Sequence, residues 1–127
     1  MVLCESGDVV LVSFHPPGVE GVLRRPAVVV SDHSLSEAHG LYWLCMITSA
    51  ETAPRPDDVS ITDPVGAGLP AASVVRAVKL ATVDGSAILQ RLGRLDDRDL
   101  DAVLAVVHRH RARFRSVGAS FSAPPLG

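Results

Sequence analysis

The chain reads as a small, mainly β domain that curls into a barrel or sandwich and carries one helix at its C-terminal end. Three observations predict this. Short apolar runs rich in β-branched residues follow one another between Pro- and Gly-containing connections. The clearest helix signal stands once, after the last of those runs. The strand–helix alternation that a doubly wound sheet requires is absent. With 127 residues, 47% of them hydrophobic and 20% charged, the chain suits one core and not two domains.

Gly7-Asp8 opens a first strand, Val9 to Phe14, and His15 to Gly21, with two prolines and two glycines, forms the loop after it. Arg24-Arg25-Pro26 leads into a second strand, Ala27 to Ser31, whose unbroken apolar run implies burial on both faces. Asp32 to Gly40 is polar and has room for a helical turn. Leu41 to Ile47 is a third buried strand that stops at Thr48-Ser49. Ala50 to Ala72 is an irregular connection holding Pro54, Pro56, Pro64 and Pro70, an acidic cluster (Asp57, Asp58, Asp63) and one short edge strand over Val59–Thr62. Ser73 to Val83 reads as one or two strands and Ile88 to Gly93 as another.

Asp96 is a good N-cap, Asp97 and Asp99 suit the positive end of a helix dipole, and Leu95 and Leu100 stand at staple positions. Leu100, Val103, Leu104 and Val107 follow at helical spacing, with Arg109, Arg111, Arg113 and Arg115 complementing the dipole at the far end. The expected domain is 1–115, and the Ser-, Gly- and Pro-rich stretch 116–127 is expected to be a disordered tail.

Composition narrows the function classes. The longest apolar run, Leu41 to Ile47, has 7 residues, against roughly 20 for a membrane span, and no secretory leader pattern opens the chain. A reduced cytoplasm is the expected setting, with no membrane partner. Two cysteines make neither a disulfide framework nor a zinc site. Net charge −2 and a pI near 6.2 argue against a protein that coats nucleic acid, yet they allow a local basic groove. Eleven of the 12 basic residues are Arg, whose planar fork suits phosphate; Lys79 is the exception.

Most chemical motifs fail on inspection. His108 and His110 lie two apart on a helix and point to different faces, so they cannot share an ion. Gly66-Ala67-Gly68-Leu69-Pro70-Ala71 mimics a dinucleotide-binding pattern, but Pro70 interrupts it and no helix follows. There is no Gly-x-Ser-x-Gly elbow, and Cys45 lies inside an apolar run. What remains is Arg24-Arg25 at the start of the second strand, Thr48-Ser49 at the end of the third, and Arg76 and Lys79 later. If those two strands are antiparallel neighbours, Arg25 and Thr48 meet at one end of the sheet, next to the loop from His15. A guanidinium and a hydroxyl converging there can hold a phosphodiester and stabilise charge developing on it. By pattern alone, strand-end Arg and Thr are more often plain solvated residues than parts of a site.

The order of these pieces is more specific than any one of them. Gly7-Asp8-Val9-Val10-Leu11-Val12, a Pro/Gly loop, Arg24-Arg25-Pro26-Ala27-Val28-Val29-Val30, a strand ending Ile47-Thr48-Ser49, Gly68-Leu69-Pro70 with Ser73-Val74-Val75-Arg76, and Leu92-Gly93-Arg94-Leu95 before a helix resemble the MazF/PemK family of toxin ribonucleases. That resemblance implies an SH3-like β-barrel of the CcdB/MazF type, a cytoplasmic homodimer and a cognate antitoxin, with DNA met only through the antitoxin. It also implies metal- and cofactor-free cleavage of single-stranded messenger, ribosomal or transfer RNA to 2′,3′-cyclic phosphate and 5′-hydroxyl ends. Carried over residue by residue, Arg25 and Thr48 are catalytic, and Arg76 matches an arginine used for catalysis in the PemK-like branch; beside them Arg24, Arg76, Lys79, Ser49 and His15 are expected to bind substrate. Two positions depart from the family. Val78 stands where one branch has an acidic residue proposed as base, and Val19 replaces a loop histidine, with His15 nearby. Trp43 and Phe14 are candidates to stack a base or to fill the core, and the carboxylates from Asp57 to Asp63 are expected to confine RNA to the groove. A CcdB-like gyrase inhibitor and an inactive SH3-like binding module stay open as alternatives.

Overall fold

β-Branched runs between turn residues set six strands: β1 (Asp8–Phe14), β2 (Leu23–Val29), β3 (Leu41–Ser49), β4 (Asp58–Ser60), β5 (Ser73–Asp84) and β6 (Ile88–Arg94). Two helices join them, α1 (His33–His39) and α2 (Asp97–His110). The computed structural model describes residues 2–15 and 17–112. The expected boundary at 115, the tail 116–127 and the dipole roles of Arg113 and Arg115 lie outside them.

All pairings are antiparallel, in the order β4-β5-β3-β2-β1-β6. The fold is mainly β with a C-terminal helix, as expected, and the edge strands β4 and β6 do not pair, so the sheet is not closed. Each face carries a core. Val9, Val28, Cys45, Ile47 and Val75 pack with Leu100, Val103 and Val106 of α2, while Val10, Val12, Ala27, Val29, Tyr42 and Leu44 form a second cluster. Two-sided burial is why β2 and β3 read as continuous apolar runs and not as alternating ones.

Several boundaries differ from the sequence reading. β2 begins at Leu23, so Arg24, Arg25 and Pro26 lie within it; Thr48 and Ser49 lie within β3. The edge strand is Asp58–Ser60, shorter at its far end than Val59–Thr62. Asp32 to Gly40 holds a full short helix, capped by the Asp32 side chain and by Gly40 in the left-handed region. Ser73 to Asp84 is one strand with a wide irregularity: Met46 faces Arg76 while Cys45 faces Leu80, so Ala77, Val78 and Lys79 bulge out of the ladder.

α2 starts as expected, with Asp96 accepting from the Arg98 N–H. Its buried positions are Leu100, Val103 and Val106, with Leu104 and Val107 packed at the margin, and it ends at His110, leaving Arg111 as the cap. Asp99 does something other than complement the dipole. It is buried, and its carboxylate accepts from the Thr62 N–H (2.8 Å) and hydroxyl (2.9 Å), fastening α2 to the segment after β4. Among the described residues no helix is long and apolar enough to cross a membrane.

The glycine pattern at 66–71 has a packing role. Gly68 sits at φ +74°, and a Cβ on it would fall on the Leu92 carbonyl of β6. Gly66 accepts from the Arg94 N–H (3.1 Å), so this loop seals the end of the β6 edge.

Candidate active site

A gap in the sheet makes the site. β2 and β3 pair only from Ala27/Met46 to Val29/Leu44. Beyond that point Leu23 to Pro26 stay with β1, and Ile47 to Ser49 stay with β5. Pro26 has no N–H to give a neighbouring strand, and the β2–β3 ladder starts one residue later. The parting strands open a cavity of about 610 Å³ with an apolar floor that includes Val12, Leu44 and Met46.

Continuing the β2–β3 register by two residues sets Arg25 opposite Thr48, and both line this cavity, one on each wall. Arg25 is exposed; Thr48 is half-buried, and its Oγ1 lies 3.2 Å from the Thr52 hydroxyl, which orients it. Arg76 and Lys79 also line it. In a regular strand two residues three apart point to opposite faces. The bulge at 77–79 removes that constraint and brings both cations to one cavity.

Three other expected site residues lie elsewhere. Arg24 and Ser49 are next in sequence to Arg25 and Thr48, so strand alternation turns them to the opposite face. Both are exposed and neither lines the cavity, and the Ser49 hydroxyl accepts from the Glu51 N–H (3.2 Å). His15 is exposed in the loop after β1 and also stays off the lining. Phe14 lines the cavity and is half-buried, which leaves it as the aromatic available to a base. Trp43 is 46% exposed and off the lining, neither core nor groove.

Electrostatically the lining holds Arg25, Arg76 and Lys79 and no carboxylate. The net charge of −2 therefore conceals a local positive cavity, set by Arg25 and Lys79, since the Asp58 carboxylate balances Arg76. Sequence reasoning missed what holds Arg76. Its side chain, 9% exposed, donates from Nε to Asp58 Oδ1 (3.2 Å), and from Nη2 to Asp58 Oδ2 (3.1 Å) and the Ala53 carbonyl (3.1 Å). Asp57, the one non-glycine residue with positive φ among those described, bonds Arg109 and His110 at the end of α2. Asp57 and Asp58 thus pair with specific cations, while Asp63 accepts from the Gly66 N–H (3.0 Å). The only signal for the Asp58 pairing in the sequence was the β-prone stretch that makes Asp58 a neighbour of β5.

Hydrogen bonds from Arg76 hold the Asp58 carboxyl below the usual carboxylate range, and His110 does the same first for Asp57. A carboxyl depressed in the folded state adds stability that is complete above its unfolded value, about 3.9, and is lost as pH falls through the folded value. Thermal melts of wild type and Asp58→Asn should therefore keep their full difference from neutral pH down to about pH 5 and converge only as pH falls further, through the lowered folded value. Burial raises the Cys45 thiol to about 11, and the Cys4 thiol is raised too, so neither offers a nucleophile at neutral pH.

The sequence model for PemK-like, MazF-like toxins of type II toxin–antitoxin systems matches residues 5–110. The chain belongs to that family. Among solved structures the toxin is similar to MazF from Deinococcus radiodurans, at 25% identity and TM-score 0.68, covering 86% of this chain and 96% of that one. A MazE–MazF complex from the same organism matches at 24% identity and TM-score 0.69, over 85% and 95% of the two chains. An endoribonuclease in complex with its cognate antitoxin, from a mycobacterial species, shares the fold at 16% identity and TM-score 0.63, over 86% and 93%. No curated protein sequence matches the toxin significantly.

Proposed function

We propose that this toxin is a metal-independent endoribonuclease that cuts single-stranded RNA at short sequences. The observation that carries the reading is the placement of Arg25 and Thr48 on facing walls of one cation-lined cavity. Attack of a 2′-hydroxyl on the adjacent phosphodiester builds negative charge on the non-bridging oxygens. Arg25 meets that charge with a fork of N–H donors, and Thr48 donates to a second oxygen. Collapse of the phosphorane breaks the bond from phosphorus to the 5′-oxygen, and the proton given up by the 2′-hydroxyl returns through water to that oxygen, leaving a 2′,3′-cyclic phosphate and a 5′-hydroxyl. Arg25 acts by charge and not as the proton donor, because an Arg pKa above about 12 makes it a poor acid. Arg76 and Lys79 hold flanking phosphates, and Phe14 offers a stacking face for one base. Arg24, Ser49 and His15, off the cavity lining, are left to contact a longer strand outside the cleft.

The toxin's partner is a cognate antitoxin, as in the MazE–MazF complex, and the toxin works as a cytoplasmic homodimer that meets DNA only through that antitoxin. An antitoxin segment carrying apolar and acidic side chains matches a cavity with an apolar floor and cationic rim, and would compete with RNA for it. The deciding experiment incubates total cellular RNA with purified toxin and maps new 5′-hydroxyl ends. Clustered new ends at a shared short sequence are expected. No new ends, together with gyrase-dependent DNA breaks, would replace this reading with a CcdB-like one.

A further inference from the structure

We infer that Asp58, on the edge strand β4, is the positioning residue of Arg76, presenting the Nη1 edge of its guanidinium to RNA phosphate. The inference rests on the ribonuclease reading and adds to it a residue outside the cavity lining.

Arg76 has five N–H donors. Three are committed: Nε to Asp58 Oδ1, and the two on Nη2 to Asp58 Oδ2 and the Ala53 carbonyl. Nη1 has no hydrogen-bond partner among the described residues, and no buried side-chain nitrogen there lacks one, so Nη1 is reached by solvent. Because Arg76 lines the cavity, its uncommitted nitrogen is the one left for a phosphate. A two-point clamp on the opposite edge stops the guanidinium from rotating, and this ordering is complete before RNA arrives.

The same geometry says what Asp58 does not do. Oδ1 accepts from Nε, and Oδ2 from Nη2 and from the Arg55 N–H at 2.9 Å, and Asp58 is not part of the cavity lining, so the carboxylate is turned to Arg76 and not to a substrate hydroxyl. The acidic residue that one branch of the family carries two positions after this arginine is Val78 here, half exposed in the bulge. A carboxylate reaches Arg76 instead from across the β4–β5 ladder, where Asp58 stands directly opposite it. Here it holds the arginine and is not poised as a base.

Removing the carboxylate has two opposite effects, which separates positioning from general damage. Asp58→Asn keeps the size of the side chain and one acceptor but frees the guanidinium and adds one net positive charge beside the cavity. Because a fixed flanking phosphate aligns the scissile one beside it, single-turnover cleavage of an RNA carrying the mapped site should show kcat down about tenfold, with the added charge leaving KM unchanged or lower. In an Arg76→Ala background the same substitution should cost nothing further, and Asp58→Glu should recover part of the kcat loss. Should Asp58→Asn lose the native circular-dichroism spectrum, Asp58→Glu takes its place in the cycle. Unchanged kcat, a rise in KM alone, or losses from Asp58 and Arg76 that multiply would overturn the inference while leaving the ribonuclease reading intact. A wild-type toxin that produces no new 5′-hydroxyl ends overturns both.

Discussion

Arg25→Ala is expected to lower the rate of RNA cleavage by about 10²-fold to 10³-fold, equivalent to about 2.7–4 kcal/mol of transition-state stabilisation. The guanidinium is exposed and stands where β2 parts from β3, with Thr48 across the gap. It is not part of either core cluster, so its loss should leave the thermal midpoint nearly unchanged. The effect therefore falls on chemistry. Arg24→Ala is the matched control: it removes the same charge from the same strand but from the opposite face, and it should alter cleavage by only a few-fold. Single-turnover rates of the two variants settle the assignment, and an Arg25→Ala protein cutting as fast as wild type would sink it.

The second large effect is on stability. Gly68→Ala should destabilise the toxin by about 3 kcal/mol or more, because two costs add. The backbone at φ +74° is strained for any residue with a Cβ, and that Cβ would meet the Leu92 carbonyl, which belongs to β6 and cannot swing aside like a side chain. Gly93 is on the other side of the same close approach, where a Cβ would press on the backbone of Gly66 and Ala67. Ala67 and Leu69 sit in the core beneath α2, so prying the loop away also opens the core. Urea denaturation of wild type and variant measures the difference; a loss under about 1 kcal/mol would show that the loop moves at little cost.

These two positions show how differently a candidate site residue and a packing residue are written in the chain. Arg25 and Thr48 were legible as partners because antiparallel neighbours place the start of one strand beside the end of the next. Gly68 was legible only as part of a nucleotide-motif mimic. Its real constraint is a strand that arrives more than twenty residues later in the chain. Asp99 is similar: its place in the first turn of α2 suggested a dipole role, and Thr62, far off in sequence, makes it a buried acceptor.

By itself the sequence determined the class, the approximate strands, the α2 N-cap at Asp96, the absence of a nucleophile motif, and the family through the order of its motifs. Those features depend on residues within a few positions of one another, where propensity, turn chemistry and capping act. Tertiary structure alone decided which faces the side chains occupy. Arg25 lines the cavity and Arg24 does not; Arg76 and Lys79 share it because of the bulge at 77–79; Asp58 reaches Arg76 across the edge of the sheet. The physical reason is that register, bulges and cross-strand ion pairs are fixed when distant segments meet, and a shift of one residue in that meeting sends every side chain to the opposite face.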